Sequence, residues 1–130
     1  MTDVVATTRI AAAPEIVFPY FTDPALITTW LAETAELAPD PGGVFSIVVD
    51  GNAAMGTFVA IEPPTRVVFT WGMPGSTTMP PGSTTVEVVL TPEGDGTLVA
   101  LTHRDLPPTE EPPHREGWTH FLGKLAARPW

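Results

Sequence analysis

Two histidines are the side chains in this sequence best suited to acid–base chemistry. His103 follows Val99 and Leu101 at alternating positions, which predicts that its ring shares the apolar face of a strand. In such a half-buried setting a histidine can donate a hydrogen bond or act as a general base. The alternative, favoured because the sequence fixes no acidic partner, is a capping histidine bonded to a backbone carbonyl at the edge of a sheet.

His114 precedes Trp118 by four residues, a spacing that places both side chains on one face of a helix. We expect His103 and His114 to approach each other at the same mouth of a cavity. Two imidazoles are too few for a metal site, which takes three or four ligands. His120 is turned about 240° away from His114 on a helix that advances ~100° per residue. No metal site or other cofactor is therefore predicted.

Large apolar side chains are numerous, and three tryptophans are the best candidates for a cavity wall. Rigid rings such as those of Trp30, Trp71 and Trp118 provide apolar surface with few polar groups. Met73 and Met79 flank a Pro-rich loop and suit either a lid or a dimer contact. The predicted ligand-binding residues are Trp30, Phe45, Phe69, Trp71, Met73, His103, His114, Trp118 and Phe121.

The elements that carry these residues follow the order strand, two short helices, six strands, one long helix. Alternation over 4–10 predicts the first strand, and Pro14 and Asp23-Pro24 begin the short helices, the second of which reaches Leu31. The six later strands are predicted over 34–38, 44–49, 53–61, 67–73, 84–91 and 97–103. Their short connections indicate an antiparallel meander.

The last segment returns to helical periodicity after Pro112 and Pro113, which fit only a first turn. About sixteen residues at ~1.5 Å each give a helix long enough to cross a sheet. Gly117 interrupts this helix at a cost of about 1 kcal/mol relative to Ala, which indicates close approach by a strand or a ligand. A sheet that curls around the helix buries the apolar faces of both, so the sequence predicts one α+β domain over 1–130.

Composition excludes several classes of function. Six Lys and Arg against fifteen Asp and Glu give a net charge of −9, so nucleic acid and anionic membrane surfaces are poor partners. The absence of cysteine excludes disulfides and thiolate chemistry. No apolar run approaches the ~18–20 residues of a membrane helix, and the N-terminus lacks the order of a signal peptide. The sequence thus predicts a cytoplasmic protein without membrane insertion.

Short sequence phrases, taken in order, carry a family resemblance. They are Ala13-Pro14-Glu15-Ile16-Val17-Phe18, Thr22-Asp23-Pro24, Trp30, Gly42-Gly43, Gly56, Glu62-Pro63-Pro64, Val68-Phe69-Thr70-Trp71, Ser83-Thr84-Thr85-Val86, Gly94-Asp95-Gly96-Thr97, Leu101-Thr102-His103 and His114-Arg115-Glu116-Gly117-Trp118. With them the chain resembles the START-like (SRPBCC, helix-grip) superfamily, in the branch named after the activator of the heat-shock-protein-90 ATPase. The resemblance implies a curved antiparallel sheet of about seven strands wrapped around the long C-terminal helix, with two short helices after strand 1.

The same resemblance implies a mostly apolar cavity between helix and sheet, and it leaves three functions open. The preferred hypothesis is a protein that binds a hydrophobic or amphipathic small molecule in that cavity. The second is a cyclase- or hydrolase-like enzyme that uses the cavity histidines. The third is a partner-docking, co-chaperone-like module, for which the terminal Trp130 is the most suspicious residue. A homodimer is compatible with all three.

Overall fold

Residues 2–130, which a computed structural model describes, form a seven-stranded antiparallel sheet and one long helix. The strands are β1 (Thr2–Ile10), β2 (Thr34–Leu37), β3 (Val44–Val49), β4 (Asn52–Glu62), β5 (Arg66–Trp71), β6 (Thr84–Glu93) and β7 (Gly96–Leu106). Their spatial order is β1-β7-β6-β5-β4-β3-β2, so six strands form a meander and β1 pairs with the last of them. The predicted α+β helix-grip fold is confirmed.

The short helical segments between β1 and β2 begin where proline and an N-cap place them. Helix α1 spans Pro14–Val17, a 3₁₀ turn follows over Phe18–Phe21, and α2 spans Pro24–Ile27. A carboxylate oxygen of Asp23 accepts a 2.8 Å hydrogen bond from the backbone N–H of Ala25, as an N-cap does. The two short helices predicted after the first strand are therefore present.

Several element boundaries differ from the predictions, and two of them have a clear local cause. Helix α2 ends at Ile27 and does not reach Leu31, since the hydroxyl of Thr28 turns back onto a carbonyl of the preceding turn. Strand β5 ends at Trp71 and does not include Met73. Gly72 lies between Trp71 and Met73, and a Cβ at this position would clash with the backbone of the following loop.

The long helix α3 (Glu111–Ala126) packs against the concave side of the sheet. Its buried residues are Trp118, Phe121, Leu122 and Leu125, and they join the strand side chains in one core. A register shift between residues 58 and 60, where β4 pairs with β5, is a bulge of the kind that bends a sheet. Within residues 2–130, no helix has the length and apolarity needed to cross a bilayer.

Candidate functional site

An open cavity of about 340 Å³ lies between α3 and the sheet. Five residues of the helix form one wall: Pro113, His114, Gly117, Trp118 and Phe121. Their spacings of one, three, one and three residues place them on the helix face that looks toward the sheet. The cavity falls within the size range of small-molecule sites.

The opposite wall comes from the sheet and from the β3–β4 hairpin. Trp71 closes the end of β5, and Met73 follows in the loop. Asp50 and Asn52 of the hairpin also reach the cavity. The tight turn of this hairpin lies at Asp50-Gly51, where both residues have positive φ, at 49° and 80°. This left-handed turn brings the hairpin tip to the mouth of the cavity.

Five of the nine predicted ligand-binding residues line this cavity: Trp71, Met73, His114, Trp118 and Phe121. His103 lies outside the lining, with its ring centroid 5.6 Å from that of Trp71. The role of these five residues and of His103 in ligand binding stays a prediction.

The remaining three predicted residues lie elsewhere. Phe45 and Phe69 stack at 4.0 Å between ring centroids in the core of the sheet. Trp30 packs edge-on against Phe21, and its Nε1 donates a 3.0 Å hydrogen bond to the carbonyl of Tyr20. Alternation along the strands predicts the buried face correctly but does not separate cavity wall from filled core.

Sequence reasoning missed the polar residues of the wall, Asp50, Asn52 and Glu110. The first two belong to a turn whose sequence predicts a hairpin but not what the hairpin faces. Glu110 stands one position before α3, in a segment whose acidic residues are typical of a solvated loop. Its i, i+4 relation to His114 was the one available signal.

His103 is fully buried and sits in the middle of a chain of hydrogen bonds. Nε1 of Trp118 donates to its Nδ1 at 3.0 Å, which leaves the proton of the neutral ring on Nε2. Nε2 then donates to the hydroxyl of Thr84 at 2.8 Å, and that hydroxyl donates to the carbonyl of Trp71 at 2.7 Å. His103 thus bonds to side chains, and the prediction of a cap on a backbone carbonyl is wrong.

Burial, and to a smaller extent the nearby ring of His114, lower the pKa of His103 to about 3. The imidazole is consequently neutral at physiological pH. Both of its nitrogens are already engaged, so neither is free to take a proton from a substrate. Its part in the site is to join helix α3 to the sheet through Trp118.

His114 stands beside this chain, with its ring centroid 5.1 Å from that of His103. The predicted approach of the two histidines is confirmed. Nδ1 of His114 lies 2.8 Å from the carbonyl oxygen of Glu110 and 3.6 Å from its carboxylate. This position lets Nδ1–H donate to the carbonyl and fixes the ring against the cavity.

Trp71 carries an unpartnered donor. Its side chain is 7% exposed and forms part of the cavity wall. Within residues 2–130, its Nε1 is the single buried side-chain nitrogen or oxygen without a hydrogen-bond partner. Such a group costs about 1–3 kcal/mol when it is left unpaired.

Two further expectations are revised. A Cβ at Gly117 would meet no atom within 4 Å, so no strand packs closely against this glycine. The glycine borders the open space of the cavity. Met79 is fully buried in the core, so it plugs the interior beneath the loop instead of forming a lid.

Comparison with solved structures identifies the class of protein that this fold defines. The crystal structure of CalU16 from Micromonospora echinospora superposes with a TM-score of 0.80 at 29% identity, over 95% of this chain and 71% of that one. That of MLL2253 from Mesorhizobium loti gives 0.86 at 26% identity, over 96% and 94%. The Aha1 dimer from Colwellia psychrerythraea gives 0.84 over 97% and 94%, and its 18% identity shows the fold alone.

The family follows from the sequence model that matches residues 11–128, described as activator of Hsp90 ATPase homolog 1-like protein. Since this match covers most of the chain, the protein belongs to that family. A search among curated proteins finds no match. The predicted family resemblance is confirmed, and the family is START-like in fold.

Proposed function

We propose that this protein binds a hydrophobic or amphipathic small molecule in the cavity between α3 and the sheet. The observation that carries the proposal is the open cavity itself, about 340 Å³ in volume, whose wall is mostly apolar and aromatic. A bound hydrophobic or amphipathic molecule would cover this surface. The cytoplasmic location stays a prediction from the sequence.

The hydrogen bonds of His103 suit a structural role, so the enzyme hypothesis depends on His114, which lines the cavity. Both nitrogens of His103 take part in hydrogen bonds that hold Trp118 and Thr84 in place. An enzyme of the cyclase or hydrolase type would need a ring nitrogen free for proton transfer. The buried histidine instead keeps Trp118 fixed as a wall of the cavity.

The docking hypothesis is weaker for a similar reason. The ring of Trp130 packs edge-on against Tyr20 at 4.8 Å between centroids, and its Nε1 donates a 2.9 Å bond to the carbonyl of Leu125. The terminal tryptophan is therefore occupied within its own chain. A homodimer is compatible with small-molecule binding and needs no change to the cavity.

Two helical glycines provide a matched test of the cavity. Gly117 lines it, whereas Gly123 lies on an exposed part of α3, and an added Cβ at either position meets no neighbouring atom within 4 Å. The experiment is isothermal titration calorimetry with 2-acetonaphthone, a two-ring ketone, on the wild type, Gly117→Leu and Gly123→Leu. We expect binding by the wild type and Gly123→Leu, and an affinity at least about tenfold lower for Gly117→Leu.

Two outcomes would contradict the proposal. One is the absence of binding to the wild-type protein at the solubility limit of the ketone. The other is equal affinity in all three proteins, since the ketone would then bind outside the cavity. Thermal unfolding checks that both variants are folded. We expect them to be folded, because leucine favours a helix more than glycine does.

A further inference from the structure

The charged groups in the cavity wall all have the same sign. Asp50 reaches the cavity from the β3–β4 hairpin, and Glu110 from the segment before α3. Within the described chain, the lining contains no lysine or arginine. The net charge of the whole protein is −9, which adds a long-range field of the same sign. The cavity therefore disfavours the binding of carboxylates and other anions.

The apolar part of the wall is built from ring systems. The ring centroids of Trp71 and Trp118 lie 5.2 Å apart, and that of His114 lies 6.3 Å from Trp71. Phe121 completes this face on the helix. The faces of such rings attract cations, most strongly when water is excluded. Aromatic walls together with carboxylates form an environment that favours an ammonium group.

We propose that the ligand of this cavity is a cationic amine on a flat apolar ring system. Its rings would lie against Trp71, Trp118 and Phe121. The ammonium group would be held by the carboxylates of Asp50 and Glu110. This inference rests on the proposed function and adds the charge class of the ligand to it.

The test uses three probes that share a 6-methoxy-2-naphthyl ring and differ in one substituent: aminomethyl, hydroxymethyl or carboxylate. The substituent is cationic, neutral or anionic at pH 7, in the order given. Calorimetric titration of the full chain should rank the amine first and the carboxylate last. We expect a difference of at least about tenfold between these two, the effect of one favourable ion pair in a partly buried site.

A charge-matched pair of double variants identifies the residues responsible. Asp50→Asn with Glu110→Gln removes both carboxylates of the cavity. Asp105→Asn with Glu116→Gln removes two carboxylates outside it. Asp50 and Asp105 both have positive φ, 49° and 66°, a conformation that asparagine also adopts readily. The cavity variant should lose the preference for the amine, and the control variant should keep it.

The outcomes separate this inference from the proposed function. If the alcohol or the carboxylate binds as tightly as the amine, the charge class is wrong while the cavity remains a binding site. Retention of the amine preference in the cavity variant also overturns the inference. If none of the three probes binds, the proposed function itself fails, and this inference fails with it.

Discussion

The buried histidine makes the stability of the protein sensitive to mild acid. The pKa of His103 falls from its usual 6.5 to about 3 in the folded chain, first through burial and then through His114. In the unfolded chain His103 takes up a proton near pH 6.5, whereas in the folded chain it stays neutral down to about pH 3. This contribution to stability is fully present above pH 6.5 and is lost as the pH falls toward 3.

The size of the loss follows from the two pKa values. Each pH unit below the unfolded pKa costs about 1.4 kcal/mol until the folded pKa is reached. Lowering the pH from 7 to 5 should therefore reduce the free energy of unfolding by about 2 kcal/mol through this one residue. A final pH of 5 lies well above the folded pKa of His103, so the result depends mainly on the unfolded value.

The assay is urea unfolding, followed by tryptophan fluorescence, at pH 7 and pH 5. His103→Gln disturbs two buried hydrogen bonds, so it should be less stable than the wild type at pH 7. Because glutamine cannot titrate, this variant should lose about 2 kcal/mol less than the wild type on acidification. His120→Gln, at an exposed position of α3, is the matched control and should behave like the wild type. Equal losses in the wild type and in His103→Gln would refute the reasoning.

Three further predictions use the same unfolding assay. Thr84→Val should lower the free energy of unfolding by about 1–3 kcal/mol, because it removes the acceptor of His103 and the donor to a backbone carbonyl, whereas Thr91→Val at an exposed position of β6 should change it little. Gly117→Ala and Gly123→Ala should each raise it by about 1 kcal/mol, since alanine favours a helix and neither Cβ meets a neighbour; a loss at Gly117 would mean that the space beside it is filled. Trp130→Ala should lower it by about 1–2 kcal/mol and leave the oligomeric state in light scattering unchanged, whereas a change in mass with unaltered stability would restore the docking hypothesis.

The sequence predicts the sheet and the long helix because their periodicities are unambiguous. Strand β5 alternates from Val67 to Trp71, and α3 repeats its apolar residues at spacings of three and four. The pairing of β1 with β7 is different, since it joins residues about a hundred positions apart, such as Val4 and His103. Local pattern contains no information on that contact, so the sequence does not predict it.

The candidate site was predictable in its aromatic members and in the meeting of the two histidines. Its polar members were not, because Asp50 and Glu110 belong to connections whose direction depends on the finished fold. The roles of the tryptophan nitrogens were equally hidden. Trp118 and Trp71 look alike in sequence, yet one donates to His103 and the other has no partner.

The four tryptophans permit the most direct test of the binding site. Trp71 and Trp118 line the cavity, whereas Trp30 and Trp130 do not. A two-dimensional ¹⁵N–¹H spectrum resolves all four indole resonances, so 2-acetonaphthone can be titrated while each is followed. The account predicts saturable shifts of the Trp71 and Trp118 indole resonances, with Trp30 and Trp130 unchanged. Ketone binding that leaves the Trp71 and Trp118 resonances in place, or no change in any resonance up to the solubility limit, would contradict it.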